Sequence, residues 1–274
     1  MNFIGFMQGR LSPIVNGKIQ SFPWNHWKQE FKIAADNDFS IMEWTLDQNG
    51  LYNNPIMTIE GQNTVKALSS QYGVSIPSLT GDCFMQEPFY KISGDNREVL
   101  LQDLQNIIIA CGMMGIELIV FPLVDEGSLE NSAQENALRD GLSCIEPDLE
   151  KYFVKIIFES DFPPDRLKDF VSNLPIRNYG INYDIGNSAA LDFDPIEEIN
   201  TYGQRIANVH IKDRLLKGTT VPLGDGNADI PKVLQELKSI EYKGNFILQA
   251  ARAVDNNHAS VLCNYRNQVN QWIK

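Results

Sequence analysis

The chain has 274 residues, 43% of them hydrophobic, and a formal net charge of −12. That acidity opposes a phosphodiester backbone and no cluster of Lys and Arg offsets it, which argues against nucleic acid as a partner. No apolar stretch approaches the roughly 20 residues that span a bilayer.

The start, Met1-Asn2-Phe3-Ile4-Gly5, shows no charged region followed by a long apolar one, so a soluble, cytoplasmic protein with no membrane partner is expected. Cys83, Cys111, Cys144 and Cys263 form no CxxC pair, which argues against a zinc ribbon or a disulfide scaffold. Cys111 and Cys144 fall in expected helices and read as small core residues. No Ser/Gly-rich or Pro-rich linker divides the chain, so residues 1–274 are expected to form one domain.

Strand one is expected at Phe3–Gln8, closed by Gly9-Arg10, and a helix follows at about Trp24–Asn37, where Trp27, Phe31 and Ala34 recur at helical spacing. Strand two, Ser40–Trp44, contains Glu43. The helix Thr58–Tyr72 is expected to stop at Gly73. Strand three spans Val74–Leu79, with Thr80-Gly81-Asp82-Cys83 at its end; the apolar helix Asn96–Met114 ends at Gly115, and Ile116–Pro122 is strand four. A long helical segment, Ser128–Tyr152, carries an expected break at Pro147.

Strand five runs to Glu159, with the helix Pro164–Leu174 after it. Strands six and seven end at Asp184 and His210 and flank a helix near Pro195–Tyr202. A polar loop, Lys212–Asp229, precedes the helix Ile230–Ile240, strand eight at Asn245–Gln249, and a closing helix at His258–Ile273. Eight alternating units predict a (β/α)8 TIM barrel rather than a doubly wound sheet.

Four apolar runs end in a side chain able to ligate a metal or move a proton: Glu159, Asp184, His210 and Gln249, at intervals of 25, 26 and 39 residues. A strand, a helix and two loops consume about 25 to 40 residues, so a parallel barrel brings all four to one rim. Two carboxylates, an imidazole and an amide oxygen make a mixed O/N set suited to Mn²⁺, Mg²⁺, Co²⁺ or Zn²⁺. A hydroxy-ketone bound there through adjacent oxygens has an acidified carbon beside its carbonyl, and a nearby carboxylate, Glu159, is the candidate base.

Other candidates have equally good structural readings. Lys212, Asp213 and Arg214 follow the histidine as either a solvated loop or an anion clamp, with Lys212 or Arg214 holding a phosphate or hydroxyl. Leu223-Gly224-Asp225-Gly226 reads as a plain turn or as backbone amides that approach a phosphate. Trp44 is core or a platform for a sugar face, Glu43 a hydroxyl ligand, and Arg252 a ligand contact. His26 and His258, in or beside helices, read as structural.

The chain resembles the xylose isomerase-like TIM-barrel superfamily, in particular its sugar-phosphate isomerase/epimerase group. The resemblance rests on Gly9-Arg10-Leu11, Met42-Glu43-Trp44, Glu159, Tyr183-Asp184-Ile185-Gly186-Asn187, Val209-His210-Ile211-Lys212-Asp213 and Val221-Pro222-Leu223-Gly224-Asp225-Gly226. It implies a divalent metal held by a Glu, an Asp, a His and a second Glu, the two glutamates facing opposite sides of the substrate carbon. Glu159, Asp184 and His210 match the first three positions; the fourth is Gln249, which ligates weakly and accepts no proton. Asn187 stands where several epimerases carry a histidine.

These departures favour one-base chemistry at Glu159, such as aldose-ketose isomerisation or dehydration beside a carbonyl, over 3-epimerisation. The resemblance therefore implies a metal-assisted isomerase or epimerase-like enzyme acting on a sugar, sugar phosphate or cyclic polyol. The alternatives are a lyase of the same superfamily and a catalytically altered carbohydrate-binding or regulatory barrel. The DNA-repair endonuclease branch needs a richer His and carboxylate set, which three histidines do not supply. The oligomeric state stays open, although barrels of this group often pair as homodimers.

Overall fold

Eight parallel strands close into a barrel in the computed structural model, which describes residues 3–274. Met1 and Asn2, part of the start considered above, lie outside the described residues. The strands are β1 (Ile4–Met7), β2 (Ile41–Leu46), β3 (Ser75–Gly81), β4 (Leu118–Leu123), β5 (Lys155–Ser160), β6 (Tyr179–Asp184), β7 (Ile206–Ile211) and β8 (Asn245–Leu248). Each pairs with its chain neighbour, and β1 closes the ring on β8 through registers such as Gly5 with Ile247.

Strand alternation divides the side chains into two sets. Phe6, Met42, Trp44, Phe121, Phe158 and Val209 are fully buried against the surrounding helices and each contributes roughly 1.5–3 kcal/mol by leaving water. Met7, Ile41 and Ile247 form a separate apolar layer. Glu43, Ser78, Asn182, Asn208 and His210 make a buried polar layer whose members hydrogen-bond to one another. A barrel interior tolerates such a layer where most of its donors and acceptors are paired; among the described residues, the Asn208 Oδ1 is the member left without a hydrogen-bond partner.

The expected helix ends at Gly73 and Gly115 are present, with φ of 66° and 73° in the left-handed region that glycine adopts without a Cβ clash. Pro147 does not break its helix, which runs unbroken over Ser132–Tyr152. Leu138, Leu142, Ile145 and Leu149 keep helical spacing across the proline and are buried, while Pro147 and Ser143 face solvent, so the carbonyl that the proline leaves free is on the exposed side of the helix. Cys144, on the same outer face, is exposed rather than core, whereas Cys111 is buried as expected.

The loop after β7 contains a short antiparallel hairpin pairing Asp213–Arg214 with Thr220–Val221. A short helix, Ile185–Ala190, starts directly after β6. Among the described residues, no helix is long and apolar enough to cross a membrane.

Candidate active site at the carboxyl ends of the strands

A cavity of ≈ 680 Å³ opens at the carboxyl ends of the strands, where barrel folds place their ligands. Glu159 and Gln249 line it, together with Lys212, Arg214, Asn187 and Asp82. Glu159, Asp184 and His210 come from three consecutive strands, and one ligand atom from each lies within 4.8 Å of the others. The register Asp184 with His210 across β6 and β7 produces this approach.

His210 is fully buried and held from both sides. Its Nε2 lies 2.7 Å from Glu43 Oε1, and its Nδ1 lies 3.1 Å from Glu159 Oε2 and 3.8 Å from Asp184 Oδ2. Burial pushes the imidazole toward neutrality, but Glu43, Asp184 and Glu159 outweigh it and raise its pKa well above the ordinary histidine value. Nδ1 is also 3.0 Å from Asn182 Nδ2, a contact that is a hydrogen bond only for neutral imidazole. Three carboxylates around the ring favour the imidazolium form, whose Nδ1–H faces Glu159, and the Asn182 amide donates to Glu159 Oε2 at 2.8 Å.

Glu43 is fully buried and accepts hydrogen bonds from Ser78 and Thr80 at 2.6 Å each and from Asn208 at 3.0 Å. Burial alone would raise its pKa; the His210 charge and these donors reverse that and hold it below the usual carboxylate range. Asp184 behaves likewise. Burial is opposed by the Lys212 ammonium, then by His210 and the Asn187 N–H, and its pKa falls well below that of an ordinary aspartate. The Asn187 N–H bond, 2.8 Å to Asp184 Oδ1, also caps the short helix, so the turn-forming and site roles of Asp184 coexist.

From Asp184 a chain of contacts crosses the cavity wall. Lys212 Nζ donates to Asp184 Oδ2 at 2.9 Å and to Gln249 Oε1 at 3.0 Å. Gln249 Nε2 donates to Gln20 Oε1 at 3.0 Å, and Gln20 Nε2 donates to Asp82 Oδ2 at 2.7 Å. Asp82 is 7% exposed. Burial pushes its carboxyl up to about 7, with Asp47 and Glu159 adding to the rise against the opposing Gln20 bond and Arg10 charge.

The donor set fits a divalent cation. The Glu43 carboxylate fixes Nε2 as the protonated nitrogen, so loss of one proton leaves the Nδ1 lone pair facing Glu159 and Asp184, the arrangement that carboxylate-anchored metal histidines use. Two carboxylates and one imidazole make a three-ligand site with positions left for substrate oxygens. Gln249 stands apart from this group, because its carbonyl oxygen faces Lys212 and its amide nitrogen faces Gln20.

Three expected ligand contacts lie outside the cavity lining. Trp44 is fully buried among Phe22 and Trp27, with ring centroids 5.5 and 5.9 Å away, and donates its indole N–H to Asn54; it points outward from the barrel because it neighbours the inward Glu43. Glu43 sits beneath His210 and reaches the site through it and through the Asn208 and Asn182 amides. Arg252 donates to the Ser12 carbonyl beside Gly9, behind the loop that follows β1. Lys212 and Arg214 do line the cavity; Arg214 is tied to the Gly218 carbonyl and to Asn187 Oδ1 at 2.8 Å.

The glycine loop is organised around a side chain of its own. Asp213 accepts the N–H groups of Gly224, Gly226 and Ala228 at 2.9–3.0 Å, so these amides are turned toward a carboxylate and not toward a phosphate. A Cβ on Gly226 would lie 2.1 Å from Asp213 Oδ1, which explains that glycine.

Sequence reading passed over Asp82, Gln20, Asn182 and the amide of Asn187, which donates to Glu159 Oε1 at 2.7 Å. Asp82 was within reach, since it lies an even number of residues beyond Ser78 and Thr80 on the inward face. Gln20 carried no signal, because it sits in an irregular loop that Arg10 holds through the Ile19 carbonyl at 2.8 Å.

The sequence model of the family described as Xylose isomerase-like TIM barrel matches residues 31–261. The chain is 31% identical over 114 residues to the uncharacterized protein MJ1311 of Methanocaldococcus jannaschii, covering 38% of this chain and 39% of that one. It spans only 39% and 36% of the length of the two curated relatives it matches. The D-psicose 3-epimerase of Clostridium cellulolyticum H10 superposes with a TM-score of 0.75 at 12% identity, over 99% of both chains. The IOLI protein with a bound zinc atom gives a TM-score of 0.75 at 15% identity, over 99% of this chain and 98% of its own. These two structures share the fold. With the family sequence model covering most of its length, the chain belongs to the xylose isomerase-like TIM-barrel family.

Proposed function

We propose that the protein is an isomerase- or epimerase-like enzyme that removes a proton from the carbon beside the carbonyl of a sugar, sugar phosphate or cyclic polyol. The carrying observation is Glu159, a carboxylate on the cavity wall with Asp184 and His210 close beside it. Similar folds named as D-psicose 3-epimerase and D-tagatose 3-epimerase-like protein support a carbohydrate substrate.

Glu159 serves as the base. Its carboxylate takes the proton, the C–H electron pair moves toward the carbonyl, and the Asn182 and Asn187 amides hold the carboxylate in place. Glu159, Asp184 and His210 would hold a divalent cation, which when bound polarises the carbonyl. Gln249 cannot accept a proton, so the opposite wall offers no second carboxylate at that position. Asp82 lines the same cavity, and burial pushes its carboxyl up to about 7, which suits it to protonating an oxygen of the substrate. This pairing supports isomerisation or dehydration over two-base epimerisation.

The test is incubation with a panel of ketoses, ketose phosphates and inosose-like compounds in D₂O, with and without Mn²⁺, read by proton NMR. Deuterium entering beside the carbonyl of one compound, and lost in Glu159→Gln, is the expected result. Exchange unaffected by Glu159→Gln would overturn the assignment.

A further inference from the structure

We propose that Lys212 is a resident cation of the site that competes with a divalent ion, and that Gln249 serves as the lysine's partner instead of the fourth metal ligand. The proposal rests on the metal-site reading above. Its basis is that the ammonium already pairs with Asp184 and donates a second hydrogen bond to the Gln249 carbonyl oxygen, at 2.9 and 3.0 Å. A carboxylate at position 249 would face both this ammonium and an incoming ion; the amide satisfies the lysine without adding charge.

The lysine is built into place. Its stem lies over Gly186, where a Cβ would come within 2.7 Å of Lys212 Cγ and 3.1 Å of its backbone carbonyl carbon. A side chain at 186 would therefore push against the Lys212 stem and backbone. The opposite end of Gln249 is fixed as well, because Gln20 accepts from its Nε2 at 3.0 Å. The amide thus cannot turn its oxygen to a metal without breaking two contacts. An ammonium has three N–H donors, and two are used here; the third belongs to a group that lines the cavity and is left for a substrate oxygen.

Two like charges a few ångströms apart repel strongly in a buried site, so an ion at Asp184 must bind against Lys212. Removing the ammonium should tighten metal binding, whereas for a lysine that merely braces the site, removal should weaken it.

The experiment is calorimetric titration of the purified protein with Mn²⁺ and with Zn²⁺, using wild type, Lys212→Met and Lys212→Gln, each checked for folding by circular dichroism. At least tenfold tighter binding in a folded Lys212 variant is expected, and this gain should vanish when Asp184→Asn is added. Equal or weaker binding in the Lys212 variants, still abolished by Asp184→Asn, would overturn the proposal and leave the metal site standing. Binding in none of the variants, or binding indifferent to Asp184→Asn, would overturn both.

Discussion

Glu43 Oε1 lies 2.7 Å from His210 Nε2, and both residues are fully buried, so the protonation of the ring is set from the side away from the cavity. Glu43→Gln keeps the shape and removes the anchoring charge. Affinity for Mn²⁺ should fall about 10- to 100-fold, as for other losses of a carboxylate behind a ligating histidine. Calorimetric titration checks this, and an unchanged affinity would show that Glu43 does not tune the ring.

The raised pKa of Asp82 carries a stability consequence of definite sign. The folded chain binds this proton up to about pH 7, whereas the unfolded chain releases it near the ordinary aspartate value of 3.8. Stability contributed by the protonated group is therefore present below about pH 4 and lost as pH rises toward 7. Asp82→Asn should stabilise the protein at pH 8 relative to pH 4, by about 2–4 kcal/mol. Denaturant unfolding of both proteins at the two pH values measures the difference; equal effects at both would contradict the shifted carboxyl.

Asp213 holds three backbone N–H groups of the glycine loop. Asp213→Ala should free them and cost about 0.5–1.5 kcal/mol, the loss of net hydrogen bonding at amides that water can partly reach. Hydrogen exchange at Gly224, Gly226 and Ala228 should accelerate, with the barrel strands unchanged.

Trp44 packs in the outer core, so its replacement should act on stability and not on ligand recognition. Trp44→Phe leaves the Asn54 acceptor without its indole donor and creates a void, for an expected loss of about 1–3 kcal/mol. Ligand-induced shifts in thermal midpoint should stay as in wild type; their disappearance would return Trp44 to the binding surface.

Glu159, Asp184 and His210 were legible in the sequence because each ends an apolar strand and the repeat length of a β/α unit places strand ends on one rim. Depth along the barrel was not legible. Glu43 also closes a run of apolar residues, and only the register of β2 with β1 and β3 puts it beneath His210 instead of at the mouth. Asp82 needed the alternation of strand three to be carried two residues beyond its expected end, to Gly81. The partner of Lys212 was hidden for another reason: Gln249 is far away in sequence and comes into contact only when the ring closes. The break expected at Pro147 failed because buried leucines on both sides of the proline outweigh one missing hydrogen bond at a solvated face.

The most direct test of the proposed shared cation is electron spin-echo modulation of the Mn²⁺-loaded protein carrying ¹⁵N-labelled histidine. The chain has three histidines, so the assignment follows from one variant. Coupling to a single imidazole nitrogen, lost in His210→Gln, is the expected spectrum. Absence of histidine coupling, or coupling that survives His210→Gln, would contradict a cation held by Glu159, Asp184 and His210.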